Sequence, residues 1–398
     1  MKKIPFFFSV IILLLTCVGF TTSVKFKLNN GDQINFSEFA TFTGHIPGLI
    51  YNENDNTLFW QGYGNVEKIY EIEVDGDRFA LDFQADEITP ESTVIFSDFF
   101  QKFSLSREFL IDLLSFAHEE IWISIYDLDD RHLIKKLEEL HERGIVLKII
   151  IENDNYNSNL DYLYDEGLIK FDENPKLMHD KFIIIDGSIL VTGSSNFTKN
   201  GFDNNSNNIN VFYSNELSEL FMQEFRLQEE NFFGKSSRKK LTSTAEKEVI
   251  FTGDATVSTY FSASDDIKSN LINLINSCEN TLEIMMFTFT DKDIANAIVE
   301  AASRNVEIRI ILETFQAGSK WSVSNFLAEN NVDFILDENP RVFHHKVMII
   351  DNKYVVTGSY NYTISAQNYN DENILIVESS KFVEAYLECF NDFWEKWR

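Results

Sequence analysis

At 398 residues, 44% of them apolar, the chain is long enough for two or three domains and rich enough in core-forming side chains to exclude wholesale disorder. A formal net charge of −29 disfavours long-range attraction to nucleic acid or anionic headgroups, although local basic groups can still bind one phosphate. The 37 Phe imply heavy aromatic packing and little more.

Residues 1–23, MKKIPFFFSVIILLLTCVGFTTS, place a short basic region before an apolar run and small residues. This pattern predicts a signal peptide, with an uncleaved anchor as the alternative, and hence a secreted or extracytoplasmic protein. Cys17 is poorly placed for lipidation, because no small residue precedes it. Cys278 and Cys389 are then left as two buried free thiols, with a single bridge as the alternative.

Residues 24–90 predict a small β-rich domain. Asn30-Gly31 and Asp75-Gly76 each divide alternating segments, and both pairs suit hairpin turns because their residues tolerate positive φ. The aromatic stretch NTLFWQGYG (56–64) is expected to pack this domain's interior.

From about residue 95 the chain divides into two similar halves, 95–233 and 248–398. In the first, EIWISIYDL (120–128), DRHLIKKLEELHERG (130–144) and IVLKIII (145–151) predict strand, helix and strand. TLEIMMFTF (281–289), KDIANAIVEAASRN (292–305) and VEIRIIL (306–312) repeat the order. This alternation predicts α/β lobes with helices on a parallel or mixed sheet. The polar stretch 234–247, with Arg238-Lys239-Lys240, predicts a solvated linker.

The repeat is clearest where DENPKLMHDKFIIIDGSILVTGSSN (172–196) faces DENPRVFHHKVMIIDNKYVVTGSYN (337–361) at a constant offset and without a gap. The apolar runs predict two hairpins with Gly187-Ser188 and Asn352-Lys353 as their loops. That register sets His179 opposite Asn196 and Lys181 opposite Ser194, and likewise His344 opposite Asn361 and Lys346 opposite Ser359. Strand alternation then projects all four groups of each copy to one side.

An imidazole, an ammonium, a hydroxyl and an amide together suit a phosphate, whose non-bridging oxygens gather charge during phosphoryl transfer. A metal site fits poorly, since each His has a cationic Lys beside it. Two halves supply two histidines. One can attack phosphorus and the other can protonate the leaving oxygen, then activate water. His45, His118, His132 and His141 lack such surroundings and are read as structural, and His345 takes the variable place of its motif.

These residues resemble the phospholipase D superfamily, whose signature is H-x-K-x4-D followed by G-S-x-N. His179, Lys181, Asp186, Gly193-Ser194 and Asn196 match it, and His344, Lys346, Asp351, Gly358-Ser359 and Asn361 match it again. TYFSASDDI (259–267) is similar to a segment that opens a domain in that family. The resemblance covers about residues 95–398. It implies a two-lobed α/β fold of pseudo-twofold duplicated domains, here with an added small N-terminal β domain. It also implies a phosphohistidine intermediate and no cofactor or metal.

The implied catalytic set is His179, Lys181, Asp186, His344, Lys346, Asp351 and Glu372, with the aspartates chiefly tying down the turn after the strand. Lys181, Ser194, Asn196, Lys346, Ser359 and Asn361 are expected to bind the phosphate. Glu372 stands where the family places a Glu that orients a catalytic His, and the first half has Asn207 there instead. If Glu372 contacts His344, it favours the imidazolium there, making His344 the general acid and His179 the nucleophile.

The resemblance therefore implies a metal-independent phosphodiesterase, with phospholipid hydrolysis as the leading expectation. An endonuclease is the alternative, disfavoured by the net charge, and a non-catalytic scaffold is the reading from another class. Transient contact with a membrane surface and a monomer carrying an internal pseudo-dimer complete the expectations.

Overall fold

The computed structural model describes residues 92–97, 105–238, 250–251 and 255–398, together with the backbone of six strands before them. The signal-peptide, Cys17 and His45 readings lie outside the described residues, as does the linker beyond Arg238. The chain divides into two compact units, Met1–Pro90 and Glu91–Arg398.

The first unit contains β1 (Ser23–Phe26), β2 (Gln33–Asn35), β3 (Leu49–Asn52), β4 (Thr57–Trp60), β5 (Glu67–Val74) and β6 (Asp77–Gln84). β5 and β6 form the expected hairpin, Val74 pairing with Asp77 across Asp75-Gly76. The turn expected at Asn30-Gly31 lies outside the described residues, and the strands on either side of it do not pair with each other. β1 instead pairs in parallel with β6, and β2 pairs with β4 in a separate sheet. A two-stranded ribbon of such short segments has little stability alone, so each flank joins a longer partner.

The second unit holds both lobes. The first lobe comprises β7 (Thr93–Ser97), β8 (Glu120–Ile125), β9 (Val146–Ile151), β10 (Ile169–Phe171), β11 (Lys181–Ile185), β12 (Ile189–Gly193) and β13 (Asn207–Tyr213), in sheet order β10-β9-β8-β11-β12-β13-β7. The second comprises β14 (Ile250–Phe251), β15 (Thr256–Phe261), β16 (Thr281–Met286), β17 (Glu307–Leu312), β18 (Ile335–Leu336), β19 (Lys346–Ile350), β20 (Tyr354–Gly358) and β21 (Asn373–Glu378). Its order, β18-β17-β16-β19-β20-β21-β15-β14, repeats the first with one strand added. In both, the strand–helix–strand crossover gives parallel pairs and the hairpins give antiparallel ones.

Local sequence explains the crossover helices. Asp130 caps the helix Arg131–Glu142 by accepting the N–H of His132 and Leu133, and Leu133, Ile134, Leu137 and Leu140 form its buried stripe. Gly144, at φ 93°, lets the chain turn away afterwards. Asp291 does the same for Lys292–Ser303, above Ile294, Ala295, Ile298 and Ala301.

The hairpin register differs by one residue from the expected one. Phe182 pairs with Thr192 and Ile185 with Ile189, while Met348 pairs with Val356 and Ile350 with Tyr354. The left-handed pairs are Asp186-Gly187 (φ 50° and 61°) and Asp351-Asn352 (φ 52° and 51°). Ser188 and Lys353 then donate back to Ile185 O and Ile350 O at 3.0 and 2.9 Å. Each loop thus has three residues, 186–188 and 351–353, because Asp-Gly and Asp-Asn tolerate the positive φ of its first two positions.

One apolar cluster runs through both lobes, taking in Phe182, Phe221 and Phe225 from the first and Phe343, Val347, Phe382 and Phe390 from the second. Each fully buried side chain of this size contributes about 1.5–3 kcal/mol. The helices Asn215–Glu229 and Ser380–Trp397 supply much of it. Polar rungs also cross the junction: Asn373 Nδ2 donates to Thr192 Oγ1 (3.0 Å), and Tyr386 OH donates to Asn210 Oδ1 (2.7 Å). Cys278 is buried and Cys389 half-buried, and no disulfide joins them. Among the described residues no helix is long and apolar enough to cross a membrane.

Candidate active site

The lobes reach across to each other at two equivalent places. His179 N–H donates to Asp371 O, and His344 N–H donates to Ser206 O, both at 2.8 Å. Short parallel bridges, Met178 with Asp371 and Ser206 with Phe343, carry these contacts. Each histidine is thus fixed by the opposite lobe's backbone just before its own lysine enters β11 or β19.

The side chains follow the same exchange. His179 Nδ1–H donates to Glu372 Oε2 at 2.7 Å, and His344 Nδ1–H donates to Asn207 Oδ1 at 2.9 Å. The expectation that Glu372 serves His344 is therefore corrected. The residue after G-S-x-N orients the histidine of the other lobe, because the cross-lobe bridge sets residues 371–372 against 178–179. Linear spacing within one half cannot reveal this exchange.

The serines of G-S-x-N are also reassigned. Ser194 Oγ donates to Asn207 Oδ1 (3.0 Å) and accepts Asn208 N–H (3.0 Å). Ser359 Oγ donates to Glu372 Oε2 (2.7 Å) and accepts Asn373 N–H (3.0 Å). Both hydroxyls are fully buried and each gives its proton to these contacts, where they hold Asn207 and Glu372 in place. The preceding glycines permit the close approach: a Cβ on Gly193 or Gly358 would lie 2.3 Å from Asn208 O or Asn373 O.

Asp186 and Asp351, expected in the catalytic set, lie past the far ends of β11 and β19 from the lysines. Asp186 accepts N–H bonds from His118, Glu119 and Glu120, all at 2.9 Å. Asp351 accepts those of Glu279, Asn280 and Thr281. They clamp the hairpin to the start of the neighbouring strand and touch no reacting group.

Lys181 and Lys346 are buried, each donating to the carbonyl of its own lobe's histidine at 2.7 and 2.8 Å. Tyr126 and Phe287 flank them. Tyr126 meets the His179 ring edge-on at 4.9 Å and underlies Lys181 Nζ at 5.2 Å. Phe287 meets His344 at 4.8 Å and underlies Lys346 at 4.9 Å. Sequence reasoning placed these two aromatics in core strands; their signal was an aromatic at the same strand position in both halves. Asn196 Oδ1 and Asn361 Oδ1 are buried without a partner within the protein.

The electrostatics show the groups converging. Burial lowers His179 to about 4, against the pull of Glu372, and Lys181 and Lys346 add to the lowering. His344 is driven well below its ordinary value by burial, both lysines and His179. Burial lowers Lys181 to about 8, and it drives Lys346 well below its ordinary value, with Lys181 adding repulsion. Each lobe's cation is thus felt by the other lobe's histidine. The site is basic and partly dehydrated, set to bind an anion.

A family model described as "Cardiolipin synthase, PLD-like domain" matches residues 110–228 and 271–394, once per lobe. The chain belongs to the phospholipase D superfamily. It is similar to the phospholipase D of Rickettsia conorii, at 33% identity over 132 residues that make up 33% of this chain and 66% of that protein. It is 31% identical over 134 residues to the mitochondrial cardiolipin hydrolase of Xenopus tropicalis, 34% of this chain and 64% of that one. The chain thus spans about two thirds of the length of these relatives. The phosphatidylserine synthase of Haemophilus influenzae Rd KW20 shares the fold over 75% of this chain and 85% of its own, with a TM-score of 0.58 at 13% identity.

Within that superfamily the two lobes of this chain are unequal. A carboxylate serves His179 and a neutral amide serves His344. Arg238, expected on a solvated linker, is buried in the helix Gly234–Arg238 and pairs with Glu224. A guanidinium with a well-placed carboxylate can be buried, whereas a residue's membership of a basic run says nothing of its partner.

Proposed function

We propose that the protein is a phosphodiesterase that hydrolyses phospholipids, with His179 as nucleophile and His344 as general acid. One observation carries this reading: two buried imidazoles, one from each lobe, are each held at Nδ1 by a side chain of the opposite lobe, and each lies within the field of the other lobe's lysine. The names of the relatives, phospholipase D and cardiolipin hydrolase, support the substrate class.

In the first step His179 Nε2 forms a bond to phosphorus as the phosphorus–oxygen bond to the leaving alcohol breaks. The departing oxygen takes the proton from His344 Nε2. In the second step His344 Nε2 accepts a proton from water, whose oxygen attacks phosphorus and displaces His179. Lys181, Lys346, Asn196 and Asn361 oppose the charge on the non-bridging oxygens. With Glu372 on His179, the expected link between the carboxylate and the general acid is replaced: the phosphoimidazolium formed on His179 carries positive charge, and Glu372 opposes it there. His344 needs its proton only when substrate is bound, and the phosphodiester's own negative charge then raises its affinity for one.

Both histidines come from one chain, so a single protomer holds a complete site. Export, suggested by the basic and then apolar stretch at the N-terminus, belongs to the same proposal. The test is a set of parallel assays with phosphatidylcholine, cardiolipin, single- and double-stranded nucleic acid and bis(p-nitrophenyl) phosphate, each with and without EDTA. Lipid turnover that exceeds nucleic-acid cleavage supports the proposal. Cleavage of nucleic acid alone points to an endonuclease, and a folded protein inert toward all of them points to a scaffold.

A further inference from the structure

Behind His179 lies a cluster of buried charge that the chemistry above does not use. Arg238 makes a two-point contact with Glu224, Nη1 to Oε2 at 2.5 Å and Nη2 to Oε1 at 2.7 Å. Its Nη2 also lies 3.7 Å from Asp371 Oδ1. Asp371 accepts Gly234 N–H (2.8 Å) and Asn174 Nδ2 (2.7 Å), and its carbonyl holds the backbone of His179. On the other flank, Gln228 Nε2 donates to Asp180 Oδ2 (2.7 Å) and lies 3.5 Å from Glu224 Oε1. Asp180 precedes Lys181 and follows His179, so both supports of that histidine lead back to one guanidinium.

The second lobe has nothing comparable. At its equivalent positions, His345 replaces Asp180, Cys389 replaces Glu224 and Phe393 replaces Gln228. Ser206 stands where Asp371 does, accepting Asn339 Nδ2 through its hydroxyl at 2.7 Å. The surroundings there are aromatic: Phe343 and Phe393 pack on His345. Buried acid thus gathers behind one catalytic histidine only, the one that also has Glu372. Burial pushes Asp371 up to about 7 despite Arg238, so losing that cation would leave Asp371 harder still to keep ionised.

We propose that Arg238 is a positioning residue for His179, acting through Asp371 on one side and through Glu224, Gln228 and Asp180 on the other. This links the connection between the lobes to the nucleophile alone, and it rests on the functional assignment of His179 above. The groups that face His179 directly are Glu372, Lys181, Lys346, His344 and Tyr126. Arg238 touches none of them and exerts its effect by fixing backbone and neighbouring charge.

The test compares wild type with Arg238→Lys and with Glu224→Met/Arg238→Met. The lysine variant keeps the charge and loses the fork. The double variant removes the two-point pair together, leaving Asp371 with Gly234 N–H and Asn174 as partners and Asp180 with Gln228, and circular dichroism checks that the fold persists. With bis(p-nitrophenyl) phosphate we expect kcat to fall about tenfold in both, with KM within about twofold. The 15N imidazole signals of His179 move, while those of His344 stay in place. A double variant with wild-type kcat and unchanged His179 signals overturns the proposal, whatever its melting temperature. If wild type is inert toward the diester yet the His179 signals still move selectively, the functional reading fails and the positioning role stands.

Discussion

Glu372 in one lobe and His179 in the other share a 2.7 Å hydrogen bond, while the equivalent pair, Asn207 and His344, has an amide in the carboxylate's place. The duplication is therefore broken at a position that sets the charge in direct contact with an imidazole. In Glu372→Gln the geometry persists without the negative charge. We predict a kcat loss of about 100-fold, near 2.7 kcal/mol, since a preorganised charge facing a developing one is worth that much. Asn207→Ala, which removes only a neutral partner, should cost less. Steady-state rates of both variants on one diester check the order.

Burial and mutual repulsion favour the neutral forms of His344 and Lys346. An anion that enters reverses both effects. Binding of sulfate, which does not titrate in this range, should take up about one proton near pH 7.5. Affinity should accordingly weaken as pH rises. Calorimetry in two buffers of different ionisation enthalpy counts the protons, and zero uptake contradicts the electrostatic account.

Ser359→Ala discriminates orientation from phosphate binding. The substitution releases Glu372 Oε2 and strands the buried Asn373 N–H, at a cost of about 1–3 kcal/mol in stability. The kinetic signature should be a kcat reduced about tenfold with KM within about twofold. A raised KM with unchanged kcat would return the hydroxyl to the phosphate.

Much of this was legible in the residues. The repeated H-x-K and G-S-x-N strings, the order strand–helix–strand and the Asp75-Gly76 hairpin all have local causes, and each is present in the structure. Two things were not. A two-residue loop at Gly187-Ser188 and the three-residue loop of residues 186–188 differ in register by one residue, and the local sequence allows both. The partner of Glu372 depends on contacts 193 residues apart in the chain, where no pattern within one half points. Arg238 looked like part of a solvated basic run because its partner Glu224 lies in a different element.

His345 gives a pH test independent of catalysis. Burial lowers it to about 3, its Nε2 has no partner, and aromatic rings surround it. Between pH 3 and about 6.5 the unfolded chain binds a proton there that the folded chain does not, so stability falls as pH falls through that window. At pH 5 this penalty is about 2 kcal/mol. His345→Leu removes it. Relative to wild type, the variant should therefore gain about 2 kcal/mol between pH 7.5 and pH 5, whatever offset the unpaired Asn208 amide imposes at both. Urea titrations at the two pH values measure the change, and a constant difference refutes it.

The claim on which the account rests is that one imidazole from each lobe acts on the same phosphorus, His179 as nucleophile and His344 as acid. Single-turnover reactions with a phosphorus-labelled diester, quenched in alkali and mapped by peptide, test it most directly in His179→Ala and His344→Ala. The account predicts label on His179 in wild type and in His344→Ala, where slow breakdown lets it accumulate, and none on any residue in His179→Ala. Label on His344, or undiminished turnover in either variant, would contradict it.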